Sequence, residues 1–292
     1  MRLGKTKKSK TVDGNLLLHR RMIGLEQELY LDRRKCCGCG DCENLCPAEA
    51  VSSTEPVVDN GTVRKRVIVD VDPEECTFCG ACAVVCPAKA IAWRENERTV
   101  PNVITKAILP ALDEAIEVRA EDCRIECGLA CESSCPVDAI EVETETGEDK
   151  ERIAEVRIDR EQCLYCGKCE PACPFDLIAV RSARSGVVSF RPEHCLPSCR
   201  ACTEVCPTGA LYVQDDRVRL EEAHCIYCRA CAVVCPATEA LEVRRERIRG
   251  LPLSSELWAD YQGKLVSAAA RIRLIRENAA RKRERAFRTR ID

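Results

Sequence analysis

Six times along this 292-residue chain, four cysteines fall within a short run that closes on Cys-Pro. Four runs share the spacing C-x2-C-x2-C-x3-C-P: Cys36, Cys39, Cys42, Cys46 before Pro47; Cys76, Cys79, Cys82, Cys86 before Pro87; Cys163, Cys166, Cys169, Cys173 before Pro174; and Cys225, Cys228, Cys231, Cys235 before Pro236. Two are stretched: Cys123, Cys127, Cys131, Cys135 before Pro136, and Cys195, Cys199, Cys202, Cys206 before Pro207. These runs take 24 of the 25 cysteines and leave Cys37 over. A chain that concentrates thiols in this way must fold around whatever those thiols hold.

Three chemistries compete for such thiols. Disulfides suit short secreted chains, and closely spaced Cys-x2-Cys-x2-Cys triplets are poor geometry for separate bridges. Structural zinc usually joins two cysteine pairs across a longer loop, often with histidine, and this chain has 3 His. The regular spacing is instead that of [4Fe–4S] ligation, with three thiolates from one loop and a fourth from elsewhere. In two-cluster proteins the Cys before the proline ligates the cluster of the other motif. Six complete runs therefore predict six [4Fe–4S] clusters held by the 24 cysteines.

Composition narrows the function. The formal net charge is −3, so no bulk attraction to nucleic acid follows. No apolar run approaches the ~18 residues of a spanning helix, and the basic opening residues lack the apolar segment of a leader. A soluble cytoplasmic protein is expected. Aromatic residues are 4% of the chain, thin for conventional cores, and bound clusters would take over part of that role. There is no Gly-rich nucleotide loop, His-rich catalytic set or Ser nucleophile elbow, so the chain is read as an electron carrier and not an enzyme by itself. A substrate site at an irregular cluster and a structural role for the clusters are the alternatives.

Each run is flanked by β-like segments, as in VIVDVDPEEC before and CPAKAIAW after, and a Pro-started helical turn is expected just after the last cysteine. The fold class is α+β, a tandem array of strand, Cys loop, short helix and strand repeats followed by a C-terminal helix. The expected division is a basic arm (1–30), a first two-cluster unit (31–94), a helical insert (95–116), a second unit (117–183), a third (186–246) and a basic amphipathic helix (251–290). Pairing in sequence order would join Cys86 to Cys36, Cys39 and Cys42, and Cys46 to Cys76, Cys79 and Cys82. A nested arrangement stays open.

Near the ligands, Gly40, Gly80, Gly128 and Gly167 follow second cysteines and permit a tight turn. Arg200 and Arg229 stand there in the last two runs and are expected in solvent. Phe78, Tyr165 and Tyr227 are expected to shield their clusters, and His194 and His224 to be turn residues. Cys37 is read as a spare thiol. The third run, with the longest loops, leaves open whether its cubane is complete. Lys5, Lys7, Lys8 and Lys10 suggest a flexible arm. Trp258, Tyr261, Leu265, Ala268, Ile272, Ile275 and Ala279 form a heptad-type stripe that Ser254 or Ser255 caps, read as a face for a protein partner. From 264 to 290 the chain carries ten Lys/Arg and two Glu.

The CP-ending runs resemble the polyferredoxins of methanogenic and related archaea over roughly residues 31–246. The stretched HCLPSCRACTEVCPTGALYV run, the regular one after it, EVRRERIRG and the Trp-containing tail look like the polyferredoxin subunit of formylmethanofuran dehydrogenases. That resemblance implies an electron-carrying subunit of a complex that reduces CO2 on methanofuran, with the molybdenum or tungsten centre on another subunit. A hydrogenase polyferredoxin is the runner-up, and heterodisulfide reductase is a further possible partner.

Overall fold

The computed structural model describes residues 6–146 and 151–267. The chain opens with β1 (Thr6–Lys10), β2 (Leu16–Met22) and β3 (Leu25–Leu31), an antiparallel meander. Leu16 and Leu18 on β2 and Leu29 and Leu31 on β3 are buried while Leu17 and Tyr30 between them are less so, so both strands bury the same sheet face. The basic arm expected over 1–30 is therefore, from Thr6 onward, a sheet, and Lys8 is tied to Asp70 at 2.7 Å. Lys5 lies outside the described residues. The alternating leucines decide the structure, and the lysines sit on the outer strand.

The first two cysteine runs lie between β3 and β8, along α1 (Asp41–Leu45), β4 (Val51–Ser53), β5 (Val57–Asp59), β6 (Thr62–Lys65), β7 (Val69–Val71), α2 (Ala81–Val85) and β8 (Ile91–Glu95). The strand before the first run, β3, pairs with the strand after the second, β8; the strands between the runs, β4 and β7, pair with each other. One turn of helix, α3 (Asn102–Thr105), leads on to β9 (Ala115–Val118), α4 (Ala130–Ser133), β10 (Ile140–Thr146), β11 (Glu151–Ile158), α5 (Cys169–Ala172) and β12 (Ile178–Arg181). The same exchange recurs there, β9 with β12 and β10 with β11. It recurs again in β13 (Arg184–Phe190), α6 (Ala201–Glu204), β14 (Leu211–Gln214), β15 (Arg217–Leu220), α7 (Ala230–Val234) and β16 (Leu241–Ile248), with β13 on β16 and β14 on β15. This outer-with-outer, inner-with-inner pairing brings the runs together two by two in sequence order.

Three expectations are corrected. The short helices lie inside the cysteine runs, ahead of the Cys-Pro step, and not after it. Cys46 and Cys86 end α1 and α2 in extended geometry (ψ 112° and 110°), because proline excludes the helical region for the residue before it. The insert after the second run is helical only over α3; Pro110 follows, and Val103 and Leu109 turn inward. They meet Trp258 and Leu265 of the last helix, α8 (Glu256–Val266), which Ser255 caps by accepting from the Trp258 N–H at 3.3 Å. Over the described residues that apolar face packs on its own chain against Leu45, Val85 and Ile248, where a foreign partner was expected. Ala268, Ile272, Ile275 and Ala279 lie outside the described residues.

The units are also packed on one another. The Asn60-Gly61 turn joining β5 and β6 has φ of 49° and 74°, the left-handed pair of a type I′ hairpin. Its tip is wedged against the fifth run: Gly61 O accepts from the Arg200 N–H at 2.8 Å, and a Cβ on Gly61 would lie 2.5 Å from Cys199 Cα. Gly61→Ala is expected to lower stability by more than the about 1–2 kcal/mol that a left-handed Cβ costs alone. Gly24→Ala, with a similar φ of 71° and nothing nearby, should cost only that conformational term. Denaturant midpoints of the two variants measure the difference, and equal midpoints would mean the tip is not seated.

Candidate metal centres

The fold assembles six quartets of cysteine, each with three members from one run and the fourth from its partner run. Cys42 stands beside Cys36, Cys39 and Cys86. Cys46 crosses the other way and completes the set of Cys76, Cys79 and Cys82 around a shared cavity. In the second unit Cys123, Cys127 and Cys131 are joined by Cys173, and Cys163, Cys166 and Cys169 by Cys135. In the third, Cys195, Cys199 and Cys202 are joined by Cys235, and Cys225, Cys228 and Cys231 by Cys206. The stretched runs close their quartets as the regular ones do. Within a unit the two quartets adjoin, with Cys42 near Cys82 and Cys202 near Cys231.

The donor set fits an iron–sulfur cluster. Five of the quartets line shared hollows walled by apolar residues, and all 25 cysteines are free thiols. Among the described residues no three His, Cys, Asp or Glu are arranged to hold a single metal ion. Burial and the neighbouring sulfurs push Cys36 up to about 11 and Cys86, Cys202 and Cys225 up to about 12. Four thiolates crowded in a dry pocket would repel one another, and bound cationic iron would offset that repulsion.

Backbone amides are already aimed at the sulfurs. Ala50, Ala90 and Ala139 donate N–H bonds to Cys46, Cys86 and Cys135 at 3.3, 3.3 and 3.2 Å. Tyr165 and Tyr227 donate their amides to Cys163 and Cys225 at 3.5 and 3.3 Å. Each of these loops uses a left-handed residue: Phe78, Tyr165 and Tyr227 before second cysteines, at φ of 56°, 51° and 49°, and Gly40, Gly80, Gly128 and Gly167 after them. Phe78 and Tyr165 are buried and Tyr227 half-buried, and Trp93 fixes the Phe78 loop by donating to its carbonyl at 2.8 Å. His194 is exposed and His224 half-buried, each just ahead of a first cysteine.

Arg200 is exposed as expected, but Arg229 is not: it is 4% exposed, left-handed at φ 71°, and bonded to the buried Asp41 at 3.1 Å. Arg245 reaches the other Asp41 oxygen at 2.8 Å. Burial pushes the Asp41 carboxyl up, but Arg245 and Arg229 outweigh it and hold the group below the usual carboxylate range. Asp41 and Arg245 went unnoticed in the sequence, although a signal was there. Asp41 stands where the second, fifth and sixth runs have alanine, and Arg229 where four runs have glycine. Lys89 makes a second junction: its ammonium bonds Glu114 at 2.9 Å and lies 5.4 Å from the Tyr165 ring, while Arg184 bonds Glu114 at 2.8 Å and the Val85 carbonyl at 3.0 Å.

Paired cysteine quartets with crossed members and amide donors on their sulfurs are the site of an iron–sulfur protein. Residues 35–90 and 111–177 match the 4Fe–4S dicluster domain family. A ferredoxin of Methanocaldococcus jannaschii is 35% identical over 63 residues, 21% of this chain and 97% of that protein. The polyferredoxin MvhB of Methanothermobacter marburgensis is 35% identical over 114 residues, 36% of this chain and 24% of MvhB. A chain in the formate dehydrogenase–heterodisulfide reductase–formylmethanofuran dehydrogenase complex of Methanospirillum hungatei superimposes with a TM-score of 0.74 at 25% identity, covering 90% of this chain and 92% of that one. The match spans about a quarter or less of the length of MvhB and of an Escherichia coli oxidoreductase, UacF, 29% identical over 87 residues. The chain belongs to the 4Fe–4S dicluster ferredoxins and is a polyferredoxin of the archaeal type. Among the described residues no helix is long and apolar enough to cross a membrane.

Proposed function

We propose that the chain holds six [4Fe–4S] clusters, one in each crossed quartet, and carries electrons to or between catalytic subunits of a formylmethanofuran dehydrogenase complex. Its three units correspond to residues 31–94, 117–183 and 186–246. The observation that carries this reading is the closure of all six quartets by a fourth cysteine from the partner run. The likeness over 90% of the chain to one component of a complex containing formylmethanofuran dehydrogenase supports the choice of partner. Heterodisulfide reductase, present in that same complex, is the second reading of the partner, and a hydrogenase is the other alternative.

When bound, a [4Fe–4S] cluster supplies one-electron redox chemistry. The chain's own residues supply the four thiolates, keep water away with Phe78, Tyr165, Leu164 and Ile226, and place N–H donors on the sulfurs, which favours the reduced form. The third quartet, of Cys123, Cys127, Cys131 and Cys173, has its full ligand set and is assigned a complete cluster and no substrate site.

Anaerobic purification of the native protein tests both parts. Four irons at each quartet give about 24 iron and 24 sulfide per chain. Formylmethanofuran dehydrogenase catalytic subunits should co-purify. Zinc in place of iron would overturn the cofactor reading, and heterodisulfide reductase or hydrogenase subunits alone would move the chain to those partners.

A further inference from the structure

The sixth run departs from the others at one buried position. Four runs have glycine after their second cysteine, and the fifth has Arg200, which stands in solvent. The sixth has Arg229, which is buried. Arg229 lines the hollow of the sixth quartet together with Cys206, Cys225, Cys228 and Cys231. Its guanidinium turns to Asp41 at 3.1 Å, and Asp41 also takes Arg245 at 2.8 Å. Arg245 in turn donates to the Tyr227 carbonyl at 3.0 Å. The Tyr227 amide of that same loop donates to the Cys225 sulfur at 3.3 Å. Two arginines and a carboxylate therefore meet at one ligand loop, and Ile226, Ala230 and Val234 of the run are buried beside it.

Arginine keeps its proton at any working pH, so the cationic charge at this loop is fixed. Reduction adds one negative charge to a [4Fe–4S] cluster, and nearby charge and burial set how readily that happens. A cation in a dry interior is screened far less than one in solvent. We propose that Arg229 sets the reduction potential of the sixth cluster, raising it above the value the same quartet would have with the glycine of the other runs, and that Asp41 limits the rise by opposing it. Arg245 is a positioning residue that holds Asp41 and the Tyr227 loop in place. This rests on the reading that the sixth quartet holds a [4Fe–4S] cluster. Arg200, in solvent, has no such leverage on the fifth cluster, so the buried charge favours the sixth over the fifth as the seat of an electron in the third unit.

An EPR-monitored redox titration of the anaerobically purified full chain tests this, with iron and sulfide counted in parallel. Arg229→Gln keeps most of the side-chain bulk and should leave the iron content unchanged. It should shift one midpoint to a more negative value, by about tenfold in the reduction equilibrium or about 59 mV for one electron. Arg229→Lys should return that midpoint toward wild type, and Arg200→Gln should move no midpoint comparably. Asp41→Asn breaks the same ion pair but removes the opposite charge, so it should shift the same midpoint to a more positive value. Shifts of one sign in Arg229→Gln and Asp41→Asn would mean that loosening of the loop, and not charge, moves the potential; that result or unmoved midpoints would overturn the proposal. Where Arg229→Gln loads less iron, Arg229→Gly, which restores the residue of four other runs at a left-handed position, carries the same expectation. A wild-type chain without [4Fe–4S] signals would instead overturn the cluster reading beneath it.

Discussion

Replacing Asp41 with alanine should destabilise the folded protein by about 3–5 kcal/mol, the cost of breaking a buried ion pair from one side. Asp41 and Arg245 are both 0% exposed. Without the carboxylate, the buried Arg245 guanidinium loses the anion it is bonded to, and Arg229 loses its bond to the same group. Arg245 would keep its bonds to the Tyr227 and Leu265 carbonyls at 3.0 and 3.2 Å, which satisfy N–H groups but do not neutralise charge. Asp41→Asn separates the two contributions, since it keeps the shape and loses the charge. The midpoint of denaturant unfolding, followed by the visible absorbance of the holoprotein, is the measurement. Adding Arg229→Gly to Asp41→Ala should restore part of the loss, because it removes one of the two buried cations and puts glycine at a left-handed position. A midpoint unchanged in Asp41→Ala would show that the clamp does not hold the units together.

The contrast between this clamp and the quartets explains how much was legible in the sequence. The candidate cysteines recur at fixed spacing, as they must where one small rigid group is to be reached from one loop, so the six runs and the option of crossed pairing could be written from the sequence. The packing of unit on unit leaves no period. It rests on single departures from the repeat: Asp41 where alanine recurs and Arg229 where glycine recurs. Each reads as noise in one run and makes sense only against its partner nearly 200 residues away. The opening sheet was missed for another reason. Its leucines at 16, 18, 29 and 31 alternate as strand residues should, but the lysines ahead of them dominate the charge pattern, and Leu16 to Leu18 reads as a short apolar run. In the last helix Trp258, Tyr261 and Leu265 of the stripe fall on α8, and they pack on this chain and not on a foreign partner. An apolar face is equally compatible with a foreign partner and with Val103 and Leu109 of the same chain, and only tertiary structure distinguishes them.

Cys86→Ala should remove about four irons per chain, and it should remove them from the first quartet although Cys86 belongs to the second run. The expectation follows from the strand exchange. Pairing of β3 with β8 and of β4 with β7 folds the end of the second run back onto the start of the first. It sets Cys86 next to Cys36 and Cys39, where the Ala90 amide holds its sulfur at 3.3 Å. Cys46→Ala should mirror this, with the irons lost from the set of Cys76, Cys79 and Cys82. Because the two quartets of a unit adjoin, the surviving cluster should also lose any spin coupling to its missing neighbour. Its EPR signal in the reduced variant should therefore sharpen. Iron analysis gives the number lost. A second substitution gives the place: Cys36→Ala added to Cys86→Ala should remove no more iron, whereas Cys76→Ala added to it should remove about four more. The opposite pattern, with Cys76→Ala silent and Cys36→Ala costing further iron, would mean that each run keeps its own fourth cysteine, and the crossed quartets would have to be abandoned.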